Sequence, residues 1–549
     1  MNMKYRCFAL AAALASVLPA LACTSLIAAK GATADGSVMI TYAADSHTLY
    51  GDMPSLAAAD HRPGEMRKVV DWDTGRYLGE IPQPAHTYGR IGHINENGVA
   101  MAESTWGGRP ELVDTTGIID YGSLIYITLE RARTAREAVK IMTDLVADYG
   151  YASEGESFSI ADPDEAWIVE MIGKGPGRKG AVWVARRIPD GCISGHANNP
   201  RIHSFPLNEP ETTLYSPDVI TFAREKGYFS GDDKDFSFSK AYMPYDYLSL
   251  RGCDARVWSY FNRFAPAEAA ASLPWVMEGQ GEAMPLWVKP EKAVSLEGMQ
   301  NMMRDHFEGT PMDMTQDIGS GPYRVPYRWR PMEFDVDSVK YFHERAIATQ
   351  QTGFSFVAQC DAQAPAGMKA TLWFGTDDAN TSFYTPVYSS MTDVPRCFEV
   401  GNGDLYTISR DAAFWATNMV ANQAYNRYSQ MIPDIRTVQR QIEQRAQTTD
   451  STLRTELKNR PLDEQAAILT RTSHDLANDA TRRYFELNDF LTVKFLDGNI
   501  KRQNPDGSFK RTETGLPAQP EYGGYDERYF RQIVNENGDR LKVRNVNIN

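Results

Sequence analysis

Leu18-Pro19-Ala20-Leu21-Ala22-Cys23-Thr24-Ser25-Leu26-Ile27-Ala28-Ala29 carries two readings that meet at one residue. Upstream, Lys4 and Arg6, an apolar run from Phe8 to Leu18, and the small-residue site Ala20-Leu21-Ala22 read as a secretory signal over 1–22. Cleavage after Ala22 makes Cys23 the first residue of the mature chain, with thiol and free α-amine on one carbon skeleton. An α-amine titrates near about 7.7–8, well below a lysine, so a useful fraction is neutral at physiological pH. A neutral amine beside a thiol is a built-in general base for a nucleophile. A second fate for such a cysteine is lipid attachment, which acylates the amine. Lipoprotein signals normally place Leu three residues before the Cys, and here that position is Ala20.

Downstream, Thr24 to Ala29 reads as a short strand, Gly31 to Gly36 as a turn, and Ser37 to Tyr42 as the returning strand. A turn centred on residue 34 pairs Cys23 with Asp45, so a carboxylate returns to the start of the first strand. There it would orient an α-ammonium and influence its proton affinity; Asp45 also suits a turn that closes the hairpin. Arg90 to Ile94 and Val99 to Glu103 flank Asn97-Gly98, a strong hairpin signal. Two helices follow, Tyr121 to Ala132 and Ala135 to Tyr149, the second begun by the capping box Thr134-Ala135-Arg136-Glu137 and ended at Gly150. Strands resume at 157–161, 166–171 and 181–187. The loop Gly173 to Gly180 lacks the ending of a phosphate loop and lies between strands, so it reads as a hairpin loop. From about 410 the chain turns helical and charged, with runs at 435–446 and 462–491, and 504–520 reads as surface loop. The pattern is α+β in layers, with hairpins and helices in blocks rather than alternating βαβ units.

The 549 residues fit two or three domains, or one enlarged domain, and 42% hydrophobic with 11% aromatic residues supports a large core. Beyond the signal no apolar run is long enough to span a membrane. A net charge of −14 repels phosphates, which excludes a nucleic-acid partner. Of six cysteines, Cys7 leaves with the signal; Cys192, Cys253, Cys360 and Cys397 allow three pairings or remain as buried thiols. Their spacing and the lack of a His cluster argue against zinc, and no metal or cofactor is expected.

Cys23-Thr24-Ser25-Leu26, Ala34-Asp35-Gly36-Ser37, Asp45-Ser46 and Tyr121-Gly122-Ser123-Leu124 together resemble the dipeptidase A family. These are cysteine peptidases of the N-terminal-nucleophile (Ntn) hydrolase class, related to choloylglycine hydrolases. The resemblance continues through Tyr149-Gly150-Tyr151, Gly155 to Asp162, Gly195-His196-Ala197-Asn198, Ala255-Arg256-Val257-Trp258 and Leu372 to Ala379, most of the mature chain. It implies a four-layered αββα sandwich over 23–410, with a helical C-terminal extension over 411–549 packed on it. It implies that Cys23 attacks the carbonyl of a dipeptide, Asp45 positions the amine, Asn198 serves the oxyanion or orients the nucleophile, and Arg256 stabilises charge near the thiolate. A polar group among Glu103, Ser104 and Thr105 would complete the oxyanion or amine-binding region, with Tyr42 beside the substrate.

One departure stands out. Relatives often carry Arg-Asn-x-Asp where this chain reads Tyr42-Ala43-Ala44-Asp45. A guanidinium near Cys23 lowers the thiol pKa more than a phenol does, so another cation, Arg256 being a candidate, takes over, or pocket and substrate differ. Without the resemblance, Asn198 reads equally as a turn residue before Pro200, Arg256 as a helix surface charge and Glu103 as a satisfied strand carboxylate. The expectation is an exported (periplasmic or extracellular) cysteine dipeptidase, a homo-oligomer being open. The competing readings are an N-acyl amide hydrolase of bile-salt or penicillin V type and a non-catalytic lipoprotein acylated at Cys23. A papain-like enzyme is disfavoured, because none of the nine histidines lies in a partner motif.

Overall fold

Alternation in the first strand already separates two faces: Leu26 and Ala28 pack in one apolar cluster, Ile27 and Ala29 in another. The computed structural model describes residues 23–545, so the segment 1–22, expected to be a secretory signal, lies outside the described residues. The elements that position the site are, in chain order, β1 (Ser25–Ala28), β2 (Val38–Asp45), β3 (Ala100–Gly107), α1 (Tyr121–Leu129), α2 (Ala135–Tyr149), β4 (Gly155–Ala161), β5 (Ala166–Gly173), β6 (Ala181–Arg187), β7 (Ile193–His196), α3 (Ala255–Phe264), β8 (Thr352–Cys360), β9 (Ala370–Thr376), β10 (Thr385–Tyr388), α4 (Ala413–Glu456) and α5 (Leu462–Lys494).

Two antiparallel sheets dominate. The seven-stranded sheet runs Trp287–Val288, β7, β1, β2, β8, β9, β10. The eight-stranded sheet runs Thr213–Tyr215, β6, β5, β4, β3 and then three two-residue strands ending at Ser55–Leu56. Their central strands, β1 and β2 against β3 and β4, touch face to face. α1 and α2 lie against the eight-stranded sheet, while α3, α4 and α5 lie against the seven-stranded one.

The core follows these contacts. Ile40, Phe356, Ala102 and Ile168 belong to the cluster shared by the facing sheets. Met101, Ile160 and Val169 pack with Leu124 and Val139 of the helices. Met39, Val357 and Trp373 pack with Trp258 and Phe261 on the far side of the seven-stranded sheet. Strands whose both faces are covered bury every residue, as β2, β4, β5 and β8 do.

Several expectations shift. β2 extends three residues past Tyr42, because β8 pairs with it as far as Asp45↔Thr352, giving a ladder the hairpin alone lacks. The β1–β2 register is Ile27↔Ile40 and Thr24↔Ala43, so Cys23 stands opposite Ala44 and not Asp45. β3 likewise runs on to Gly107 along β4, so Glu103, Ser104 and Thr105 lie inside a strand. α1 stops at Leu129, three residues early. The Thr134 cap holds, accepting from the Glu137 N–H at 3.1 Å, but the Glu137 carboxylate reaches the N–H of Arg133 and not that of the cap. Among the described residues Cys23, Cys192, Cys253, Cys360 and Cys397 are all free thiols. No described helix is long and apolar enough to cross a membrane.

Candidate active site

Cys23 enters the fold just before β1, and its neighbour Thr24 exchanges backbone hydrogen bonds with Ala43 of β2. The residue is 2% exposed, between the two sheets. The backbone N–H of Asp45 donates to its sulfur, and the Tyr42 hydroxyl oxygen stands 3.7 Å from it. Tyr42 gives its own proton to Glu103 Oε1, so its oxygen is left to accept from the thiol. Burial, and after it the negative Glu103 and Asp45, push the Cys23 thiol well above its ordinary value. In this arrangement the sulfur holds its proton.

From Glu103 the hydrogen bonds continue in a ring. Its carboxyl pairs with that of Glu156 on β4, and both are buried. Burial and the adjacent Glu103 carboxylate raise Glu156 well above the ordinary range, so the pair holds a proton that Glu156 donates. Thr105 Oγ1 donates to Glu156 Oε2 at 2.9 Å. The Thr105 carbonyl accepts from Asn198 Nδ2 at 2.5 Å. Asn198 Oδ1 accepts from Arg256 Nη2 at 2.8 Å, and Arg256 Nη1 donates to the Cys23 carbonyl at 2.7 Å and to Thr24 Oγ1 at 2.8 Å. The ring thus closes on the residue where it began.

Local backbone makes this reach feasible. Asn198 holds φ 57, a left-handed conformation that Asn tolerates better than most side chains. It sits just past β7, whose Gly195 approaches β1 so closely that a Cβ there would lie 2.8 Å from the Ser25 carbonyl. A π-helical turn, Ser249–Asp254, leads into α3 and leaves the Gly252 carbonyl to accept from Arg256 Nε at 2.8 Å. Burial and the nearby Arg345 lower Arg256 to about 10, so it stays charged at neutral pH. Its guanidinium grips backbone and Asn198, so it fixes the Cys23 peptide instead of touching the sulfur.

The Asp45 carboxylate points elsewhere. It accepts from Arg345 Nη2 and from Thr352 Oγ1, each at 2.6 Å. Burial raises this carboxyl while Arg345 pulls it back. Arg345, 300 residues away in sequence, is the cation that holds Asp45, and no local signal marks it. Ser104 joins a second network: its Oγ accepts from the Asn198 N–H at 3.2 Å and lies 2.6 Å from His196 Nδ1. His196 Nε2 lies 2.8 Å from Ser159 Oγ, to which Ser25 Oγ donates at 2.8 Å. Burial lowers His196 to about 3, so it is neutral and couples the sheets without charge. Glu156 and His196 stood inside quoted motifs, yet only their burial beside Cys23 gives them a part.

All eight sequence candidates, Cys23, Tyr42, Asp45, Glu103, Ser104, Thr105, Asn198 and Arg256, therefore converge on one polar cluster, buried except for the half-buried Thr105. Such an assembly, a thiol with acids, amides and a fixed cation around it, suits nucleophilic attack with proton transfer. The chain is similar to a probable dipeptidase of Salmonella dublin, 24% identical over 408 residues, which are 71% of this chain and 85% of the relative. It is similar to a probable dipeptidase of Latilactobacillus sakei, 23% identical over 488 residues, 84% of this chain and 93% of the relative. A probable dipeptidase A of Streptococcus pyogenes serotype M3 (strain SSI-1) is 24% identical over 443 residues, 76% of this chain and 85% of the relative. The sequence profile of peptidase family C69 matches residues 22–441, and the chain belongs to that family.

Proposed function

We propose that this chain is an exported dipeptidase of the Ntn class, whose nucleophile is Cys23 after cleavage behind Ala22. The observation that carries the reading is the closed hydrogen-bond ring around Cys23: it fixes the thiol, its peptide and its neighbouring acids at the start of the chain that cleavage would leave. The names of the relatives supply the substrate class. Two facing sheets with helices packed against each support a four-layered αββα sandwich over 23–410, and α4 and α5 support a helical extension over 411–549 packed on it.

The steps follow from the chemistry at one residue. The freed α-amine takes the thiol proton, and the thiolate attacks the carbonyl carbon of the dipeptide. The tetrahedral oxyanion forms beside Asn198, held in place by Arg256. The resulting ammonium returns its proton to the leaving amine as the C–N bond breaks, giving an acyl-enzyme. Water then attacks the acyl carbon, giving its proton back through the amine, and the thiol is regenerated as the free acid leaves. Asp45, its carboxylate clamped by Arg345, holds the sulfur through its backbone N–H.

Amino-acid release from a dipeptide panel tests the reading, with processed wild type beside Cys23→Ala and the intact mass of each recorded. Release by wild type alone is expected. Release by Cys23→Ala would place the nucleophile elsewhere, and a mass increased by acyl chains would replace the enzyme with a lipoprotein.

A further inference from the structure

A cavity of about 320 Å³ is lined by His93 and Phe354, both of which pack on Tyr42, and its walls are one-sided in their chemistry. Trp72, Tyr126 and Phe354 present aromatic faces, and Asp52 and Asp73 supply carboxylates, while none of the lining residues is Lys or Arg. Neither carboxylate forms an ion pair among the described residues. Asp73 Oδ1 accepts only the Tyr121 hydroxyl, at 3.0 Å. A further acceptor in the wall is His93, 5% exposed. Its Nδ1 lies 3.1 Å from the Met101 carbonyl, which can only accept, so Nδ1 carries the proton. Nε2 is thereby a bare acceptor, buried and without a hydrogen-bond partner. An orphaned buried acceptor calls for a donor.

Aromatic side chains stand between this space and the ring around Cys23. Trp72, His93 and Tyr126 line the cavity, and the His93 ring centroid lies 5.4 Å from that of Tyr42, whose hydroxyl oxygen is 3.7 Å from the sulfur. Glu103, the acid expected from sequence to meet an ammonium, does not line the cavity and is taken by Tyr42 and Glu156.

We propose that this cavity receives the free α-ammonium of the substrate together with an apolar side chain, with Asp52, Asp73 and His93 Nε2 accepting its N–H groups. The inference rests on the dipeptidase reading for the identity of the ligand, and on the cavity for its chemistry. Three acceptor groups face three N–H donors, and aromatic faces attract both a cation and an apolar side chain. Burial raises Asp52 and Asp73, and a bound cation would relieve both. A carboxylate in the same place would meet two like charges and a lone pair, which sets free dipeptides apart from acyl amides bearing an anionic end.

The test pairs 2-phenylethylamine with 3-phenylpropionate, alike in ring and chain but opposite in charge, by calorimetry on processed protein. The amine is expected to bind and the acid not; Asp52→Asn and Asp73→Asn should each weaken the amine by about tenfold, roughly 1.4 kcal/mol. Equal binding of both probes to wild type, which needs no variant to fold, would overturn the proposal. So would unchanged amine affinity in Asp52→Asn, Asp73→Asn and His93→Gln. Release of amino acids from free and N-acetylated dipeptides separates the two readings. Amine binding with no hydrolysis of any dipeptide supports the cavity and sinks the dipeptidase; equal hydrolysis of both substrates, with no amine bound, does the reverse.

Discussion

At Cys23 the charges that dominate the sulfur are negative, which is the opposite of what a ready nucleophile needs. A thiol pushed upward by burial, Glu103 and Asp45 reacts slowly at neutral pH, so the attack proposed above needs a base, which a free α-amine at Cys23 would supply. Removing one of those charges should therefore speed alkylation: Glu103→Gln is expected to react faster with iodoacetamide at a given pH, and an unchanged or slower rate would contradict the electrostatics. His196 offers a second check. Its folded value of about 3 lies below the usual value near 6.5, so the unfolded chain binds the extra proton between them and stability falls as pH drops through that window. Between about pH 7 and about pH 5 His196→Asn should lose up to about 2 kcal/mol less stability than wild type in urea unfolding. Arg345→Met leaves Asp45 buried without its cation, and a loss of about 3–5 kcal/mol is expected in the same measurement.

At the scale of elements, the site depends on how far strands run. Glu103, Ser104 and Thr105 alternate along β3, so Glu103 and Thr105 share the side that meets Glu156 while Ser104 meets His196. A one-residue slip would exchange these partners, and the ladder to β4 prevents it. The single-residue offset in β1–β2 has the same consequence: Asp45 offers its backbone N–H to the sulfur and turns its carboxylate to Arg345. For α2, Thr134→Ala should cost about 1 kcal/mol, because the Glu137 N–H loses its acceptor. Urea titration measures it, and a change near zero would mean the Glu137 carboxylate alone starts the helix.

For the whole molecule, α4 and α5 contribute apolar side chains to the main core cluster. Tyr484 of α5 packs on Phe383 with ring centroids 4.7 Å apart and donates to the Thr381 carbonyl at 2.9 Å. Glu443 of α4 pairs with the buried Arg304. A chain ending at residue 410 would uncover β9 and β10 and strand Arg304, so it should fail to yield soluble, cooperatively unfolding protein. A soluble truncated chain with a sharp thermal transition would show the helices to be dispensable.

What the sequence by itself determined were matters of local chemistry and periodicity: the layered α+β pattern, the hairpin around Asn97-Gly98, and the start of α2 at Thr134 and its end at Gly150. These rest on turn residues, caps and alternation, which act over a few positions. The tertiary structure alone decided that Arg345 clamps Asp45, that Arg256 grips the Cys23 peptide, that Glu103 pairs with Glu156, and that Asp52, Asp73 and His93 face one cavity. Those partners come from strands and loops up to 300 residues apart. Their meeting is set by which sheet faces bury together, a property of the assembled layers that no short window of sequence contains.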